Sequence, residues 1–329
     1  MTGENPNPDE LKRLYDERYA GNYMDKDRYG IWIHEGVGCL SVRQTLSQIP
    51  IQPRRILDYG CGQGGWIQLL SMTFPDAKIY GIDISDTAIV KARKRYPEHA
   101  FSTFDGARAP FPDESFDLIF SFHVLEHVHD IEGSIRDISR ITQKGGYACI
   151  IFPCGNKNSL EEKAVCLMER GKVPSCDGRT VHFYEVPDGH LRRMTSEETI
   201  SLFAKQGLKI VSECYSGQFF GAVDWLCRST WPEYINRVFR GRRPIDYAAK
   251  VKLDIMRRTL LLLNCIVSRK SLELLGRSSS AEKAAAYMVR SVARMTDRLI
   301  LILALLEWLC LKRSRNGSVQ FLVFQKTAG

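Results

Sequence analysis

Residues 56–65 read Ile-Leu-Asp-Tyr-Gly-Cys-Gly-Gln-Gly-Gly. Two apolar residues, Ile56 and Leu57, close a strand. Asp58, Gly60, Gly62 and Gly64 then recur at every second position. Glycine at such a strand-to-helix turn lets the backbone approach a ligand that a side chain would block. Gly60, Gly62 and Gly65 also satisfy G-x-G-x-x-G, the dinucleotide fingerprint. Charge separates the two readings. A dinucleotide sets an anionic pyrophosphate at this turn, and Asp58 would lie beside it as a like charge. A carboxylate here favours a ligand that brings cationic groups instead.

Downstream, Lys78-Ile-Tyr-Gly-Ile-Asp83 reads as a second strand ending in an acid, 25 residues beyond Asp58 (83 − 58). A carboxylate at that point can accept both hydroxyls of a ribose. Alone, it could equally be the N-cap of the helix predicted over 85–95. Residues 100–104 make a third strand, followed by Asp105-Gly106, which alone reads as a turn. Ser115-Phe-Asp-Leu-Ile-Phe-Ser-Phe-His-Val-Leu-Glu-His-Val128 supplies a fourth strand and its loop. Gln143-Lys-Gly-Gly-Tyr-Ala-Cys-Ile-Ile-Phe152 supplies a glycine turn and a fifth strand.

In this order, over residues 54–152, the five stretches resemble the class I S-adenosylmethionine (SAM)-dependent methyltransferases. SAM carries a sulfonium and an ammonium, the cations that Asp58 favours. The resemblance implies a SAM cofactor held at the first turn by Asp58, Gly60, Cys61, Gly62 and Gly64. It places Asp83 and Ile84 at the ribose, Asp105 and Gly106 at the adenine, and Ser121 and Phe122 beside the cofactor at the end of the fourth strand.

Strands are predicted at 54–59, 78–83, 100–104, 116–121, 146–152, 208–215 and 318–325. Their alternation with helices predicts an α/β fold on a parallel sheet. Thr195-Ser-Glu-Glu198 is a capping-box pattern for a helix over 195–206, and Gly207 is its stop. The resemblance implies a Rossmann-like seven-stranded sheet, order 3-2-1-4-5-7-6, with the last strand antiparallel and helices on both faces. Three regions follow. Residues 1–50 form an N-terminal helical cap with helices at 8–21 and 37–48. Residues 51–218 form the SAM-binding core, completed by 317–329. Residues 219–316 form a helical insertion between the sixth and seventh strands.

The insertion holds the charge of the chain. It has 19 Lys+Arg against 8 Asp+Glu, a net of +11, whereas the whole chain is +8, leaving −3 elsewhere (8 − 11). It also has apolar runs at 260–263 and 299–311, both shorter than the ~20 residues that span a bilayer. Two readings stay open. One is a helical subdomain whose apolar faces pack on each other and on the sheet. The other is a basic, apolar surface that makes peripheral contact with anionic membrane or shields an apolar acceptor.

The chain is otherwise of ordinary globular composition, 44% hydrophobic and 26% charged. Its ten cysteines form no C-x-x-C pair, and the polar opening lacks a signal-peptide core. Both features predict a cytoplasmic protein, with peripheral placement at the inner face of the membrane under the second reading. Cys166, Cys176, His182 and His190, separated by nine, five and seven residues, match no zinc spacing, so no metal is expected.

The reaction implied is methyl transfer, in which the protein aligns the acceptor and excludes water. A hydroxyl acceptor needs a base, whereas an amine can lose its proton late. His127 and His123, in the loop behind the fourth strand, are the candidate catalytic groups. His127 matches a histidine common in the family, with loop orientation as its structural alternative. The resemblance implies acceptor contacts from Tyr19 and Tyr23 of the N-terminal lid. It also implies contacts from His182, Tyr184 and His190 between the fifth and sixth strands. Arg192, with Arg193, could hold an acceptor carboxylate or phosphate, or form a solvated pair at a helix start.

Gly189-His-Leu-Arg-Arg-Met-Thr195 resembles a stretch of bacterial methyltransferases encoded among glycan and lipid-linked biosynthesis genes. The expected acceptor is therefore a small molecule, such as a lipid-linked, isoprenoid or sugar intermediate. The alternatives are an RNA methyltransferase, suggested by net charge, and a SAM-binding regulatory protein without catalysis. The chain shows no appended RNA-binding module, and the fourth-strand loop lacks a Pro-Pro-aromatic run. Nucleic acid is therefore not expected as a partner.

Overall fold

The computed structural model describes residues 7–21, 37–175, 177–228, 232–267 and 280–327. The predicted alternation builds one seven-stranded sheet from β1 (Arg55–Tyr59), β2 (Lys78–Asp83), β3 (Ala100–Thr103), β4 (Phe116–Phe122), β5 (Thr142–Pro153), β8 (Leu208–Ser216) and β9 (Val319–Lys326). A separate antiparallel hairpin, β6 (Lys172–Pro174) and β7 (Thr180–His182), interrupts the connection from β5 to β8. The sheet order is β3-β2-β1-β4-β5-β9-β8. The first five strands run parallel, and β9 lies antiparallel between β5 and β8. Counting sheet strands alone, this is the expected order 3-2-1-4-5-7-6. β5 starts earlier than expected, because Thr142 already pairs with Phe116 across a register shift.

Alternation along each strand feeds two cores, since successive side chains leave opposite faces of a sheet. Ile56, Cys149, Ile151, Phe321 and Val323 face helices α2 (Val37–Ser47), α3 (Ile67–Thr73) and α4 (Asp86–Arg95). Leu57, Ala148, Ile150, Leu322 and Phe324 face α5 (Ile131–Ile141) and α7 (Ser196–Lys205). On that second face the Phe203 and Phe324 rings stack 4.2 Å apart and 10° from parallel. α7 opens with the full capping box between Thr195 and Glu198. The N-cap of α4 is Ser85, whose hydroxyl accepts from Ala88 N. Asp83 therefore stands outside the helix cap.

Two further helices flank the site. α1 (Pro8–Ala20) precedes the sheet, and α6 (Leu160–Cys166) follows β5. The described part of the insertion is mostly helical: α8 (Phe220–Arg228), α9 (Pro232–Arg240), α10 (Tyr247–Val267) and α11 (Ser280–Leu311). These helices share a third core with α6, through Val165, Val223, Leu226, Phe239, Leu260 and Ile300. Other helices satisfy both ends of α8. Glu307 of α11 accepts from Phe219 N at 3.0 Å and Gly221 N at 2.9 Å. Asn264 of α10 donates to Cys227 O at 3.0 Å. These are the backbone groups that a helix terminus otherwise leaves unpaired.

α11 has two faces. Ala293, Ile300, Ala304 and Trp308 are buried, whereas Val292, Met295, Leu299, Ile302, Leu306 and Leu309 are each more than half exposed. The second set alternates steps of three and four residues, which draws one straight apolar seam along a helix. Among the described residues, no helix is long and apolar enough to cross a membrane. Phe203→Ala should destabilise the protein by ~3–5 kcal/mol, through lost burial and the cavity left opposite Phe324. Urea denaturation measures this directly, and a loss below ~1 kcal/mol would mean that the stack is not part of a tight core.

Candidate functional site

A cavity of about 660 Å³ opens at the carboxyl ends of β1, β2 and β4. That is where open α/β sheets bind ligands, and the volume is that of a small-molecule site. One half is built by the glycine loop. Gly60, Cys61, Gly62, Gln63 and Gly65 line it, and Gly60, Gly62 and Gly64 all have positive φ. A Cβ on Gly60 would overlap Val124, and one on Gly62 would overlap the Tyr19 hydroxyl. The loop therefore requires glycine for conformation and for space.

Asp83 lines the same half, with Ile84, Phe104, Asp105 and Gly106. Its Oδ2 accepts from Gly62 N at 2.8 Å and its Oδ1 from Ser85 N at 2.9 Å. A carboxylate has about four acceptor sites, so both oxygens keep capacity for ribose hydroxyls. Burial pushes Asp83 up to about 6, against the pull of those backbone donors. Asp58 is buried, and Oδ2 has no partner among the described residues. Burial, then the charge of Asp83, raises it well above the usual carboxylate range. Asp58, Gly64 and Ser121 do not line the cavity, and Ser121 Oγ is also buried without a partner. Phe122 does line it, packed 4.5 Å from Trp66. Two buried acids with no basic side chain against them among the described residues, and a glycine cradle, fit a cationic, ribose-bearing cofactor.

The other half belongs to β4's loop, α1 and the insertion. His123, at φ +54, starts the loop and reaches Glu126 Oε1 through Nδ1 at 2.9 Å. His127 Nδ1 lies 3.0 Å from Gly189 O, and the Tyr15 hydroxyl is 3.0–3.1 Å from both ring nitrogens. Burial pulls His127 down to about 3 and His190 to about 4. A general base works best near the operating pH, so His127 is a weak one in this environment. Tyr19 and His190 line the cavity, as do Trp225 of α8 and Tyr234 of α9. Tyr23 and Cys176 lie outside the described residues.

Three expected acceptor residues have other work. His182 is buried between Tyr184 Oη at 3.0 Å and Glu162 Oε2 at 2.9 Å, and neither His182 nor Tyr184 lines the cavity. Hydrogen bonds from His182 and Lys172 hold Glu162 down at about 2 despite burial. Arg192 is fully buried and donates to Asp177 and to the carbonyls of Leu125, Val128 and His129. It is neither solvated nor in the cavity. Its neighbour Arg193 is in the cavity wall, held by Glu161 Oε2 at 2.9 Å and by Glu185. The residues missed by sequence reasoning are Glu185 and Tyr234, which carry no motif and line the cavity with Tyr15 and Trp225.

The chain belongs to the family described as "Methyltransferase domain", which matches residues 31–213. This is the class I SAM-dependent methyltransferase fold, whose cofactor is SAM. The malonyl-[acyl-carrier protein] O-methyltransferase of Legionella pneumophila is 30% identical over 122 residues, 36% of this chain and 42% of that enzyme. The trans-aconitate 2-methyltransferase of Variovorax paradoxus is 33% identical over 112 residues, 34% of this chain and 43% of that enzyme. The chain thus spans less than half the length of these two relatives. Among solved structures, the [4+2]-cyclase SpnF superposes with a TM-score of 0.53 at 16% identity, over 99% of this chain and 98% of that one. At that identity the likeness concerns the fold.

The raised Asp83 sets a pH dependence. Ribose hydroxyls and the cofactor's cationic groups favour the carboxylate over the acid. SAM affinity should therefore be full above the folded value of about 6 and fall as the pH drops through it. The stability of the free protein should move the other way. The folded form holds a proton that the unfolded chain releases near 3.8, so this group costs stability at neutral pH and the cost fades toward pH 4. Titration calorimetry with SAM from pH 8 to 5 measures the first effect. Asp83→Asn should weaken binding by ~1.5–3 kcal/mol and flatten the profile. An unchanged profile in the folded variant would remove Asp83 from cofactor binding.

Proposed function

We propose that the protein transfers a methyl group from SAM to a small lipid-linked, isoprenoid or sugar-type acceptor, working against an anionic membrane surface. One observation carries the reading: a single cavity joins the glycine loop and Asp83 to a wall made by the insertion, through Gly221, Ala222, Trp225, Tyr234 and Arg237. Bound SAM supplies an electrophilic methyl on a sulfonium. The glycine loop and Asp83 hold the donor side, while α1 and the insertion enclose the acceptor side and exclude water. The family membership and the relatives named for malonyl-acyl carrier and trans-aconitate support a small-molecule acceptor.

The membrane half rests on the outer face of the insertion. The apolar seam of α11 is flanked by the exposed Arg294, Arg298 and Arg313, and α10 exposes Val251, Ile255 and Leu262 beside Lys250, Lys252 and Arg258. A second copy would bring the same basic rim against this one, whereas anionic lipid complements it. Methyl-tritium transfer to fractionated cell extract should label the lipid fraction; label confined to RNA, or no label, would refute the acceptor class. The protein should co-sediment with anionic vesicles at low salt. Binding should fall steeply toward physiological salt, since each basic residue contributes about 1 kcal/mol within a Debye length. No sedimentation at low salt, or a concentration-dependent dimer that Leu299→Glu and Leu306→Glu dissolve, would transfer the seam to another occupant.

A further inference from the structure

Glu126 is fully buried, yet no lysine or arginine among the described residues lies within ion-pair distance of it. Its recorded neighbours are imidazoles: His123 Nδ1 at 2.9 Å and His127 Nε2 at 3.8 Å from Oε1. Oε2 has no partner. A buried carboxylate in such a setting is costly, and buried charges are as a rule paired or bound to metal. His190 reaches the same point from the connection between β7 and α7. Its Nδ1 is buried without a hydrogen bond among the described residues and lies 3.6 Å from Glu185 Oε1. One donor atom each from Glu126, His127 and His190 fall within 4.8 Å of one another.

We propose that Glu126, His127 and His190 bind one divalent first-row transition-metal ion, such as Zn²⁺. Two imidazoles and one carboxylate are a donor set for such ions. Tetrahedral bonds of ~2.0–2.2 Å place neighbouring ligand atoms roughly 3.3–3.6 Å apart, so the cluster has only to contract. His127 is already oriented for it. Its Nδ1 can donate to Gly189 O, which turns the Nε2 lone pair toward Glu126, the arrangement that fixes metal-binding histidines. The Tyr15 hydroxyl, 3.1 Å from Nε2, is the competing partner.

Three protein ligands leave coordination positions open, and His127 and His190 both line the cavity. Resting on the methyl-transfer reading, an acceptor hydroxyl bound there would lose its proton to water more readily. The oxygen lone pair then forms the C–O bond, and sulfur keeps the electron pair of the broken S–CH₃ bond.

The test uses the full chain stripped with EDTA and titrated with Zn²⁺ and Co²⁺ in the absence of SAM and acceptor, so that it does not depend on catalysis. One equivalent should bind, and X-ray absorption of the Zn²⁺ form should show two imidazoles and no sulfur. Glu126→Gln and His190→Asn should each weaken binding by ~100-fold or more, beyond what outer contacts cost. Tyr15→Phe should leave affinity intact or raise it. No bound metal, an equivalent that survives both ligand substitutions, or sulfur ligation from exposed cysteines would each overturn the site. Should the variants fail to fold, the absorption spectrum of the unaltered protein decides. Stoichiometric metal with methyl transfer unaffected by EDTA would keep the site and refute its acceptor role.

Discussion

Two consecutive arginines hold this molecule's site together, and they do so in opposite directions. In the extended stretch before α7, neighbouring side chains leave the backbone on opposite sides. Arg192 turns toward β4 and fills three carbonyls of the histidine loop, with Asp177 as counter-charge. Arg193 turns the other way. It donates to Cys154 O just past the end of β5, to Ser318 O just ahead of β9, and to Glu161 and Glu185. A guanidinium presents five donors in a fixed plane, so each arginine sets the relative placement of several segments at once. A buried charge is tolerable only when so fully met. The half of the cavity opposite the glycine loop is thus braced from behind, although its parts come from residues far apart in the chain.

The donor half is built on the contrary principle. Asp58 and Asp83 are buried acids with no basic side chain against either among the described residues. Burial lifts both above the usual carboxylate range. The free protein carries this as a cost, and a cationic ligand seated against the two acids would remove it, which would couple cofactor binding to stability. A dinucleotide would add phosphate charge to the same place. The preference inferred from Asp58 alone therefore has its physical basis in the pair.

The sheet, its order and the cofactor loop were legible because each rests on local pattern. Strand alternation, the glycines at Gly60 and Gly62 and the Thr195–Glu198 cap are short-range signals. The acceptor wall was not legible, because its contacts join distant segments. Arg18 of α1 and Arg237 of α9 both bind Asp188, 170 and 49 residues away. Arg192 looked like a ligand anchor because an exposed and a buried arginine share one letter. Only the carbonyls of Leu125, Val128 and His129 decide between them. The β6–β7 hairpin was missed for a related reason: three-residue strands carry no period to read.

The insertion's geometry adds one step. α8 lines the cavity through Gly221, Ala222 and Trp225, and it is capped by Glu307 of α11. α11 turns Ile300 and Ala304 inward and its apolar seam outward. Only one layer of helix separates the acceptor wall from the surface proposed to meet lipid. Packed helix axes lie ~8–10 Å apart, so whatever seats the seam bears on α8 through a single contact layer. Displacing α11 would uncap α8 at Phe219 and Gly221 and loosen the wall beside Trp225. Binding at the outer face would therefore bear on the cavity wall, and the link would run through Glu307.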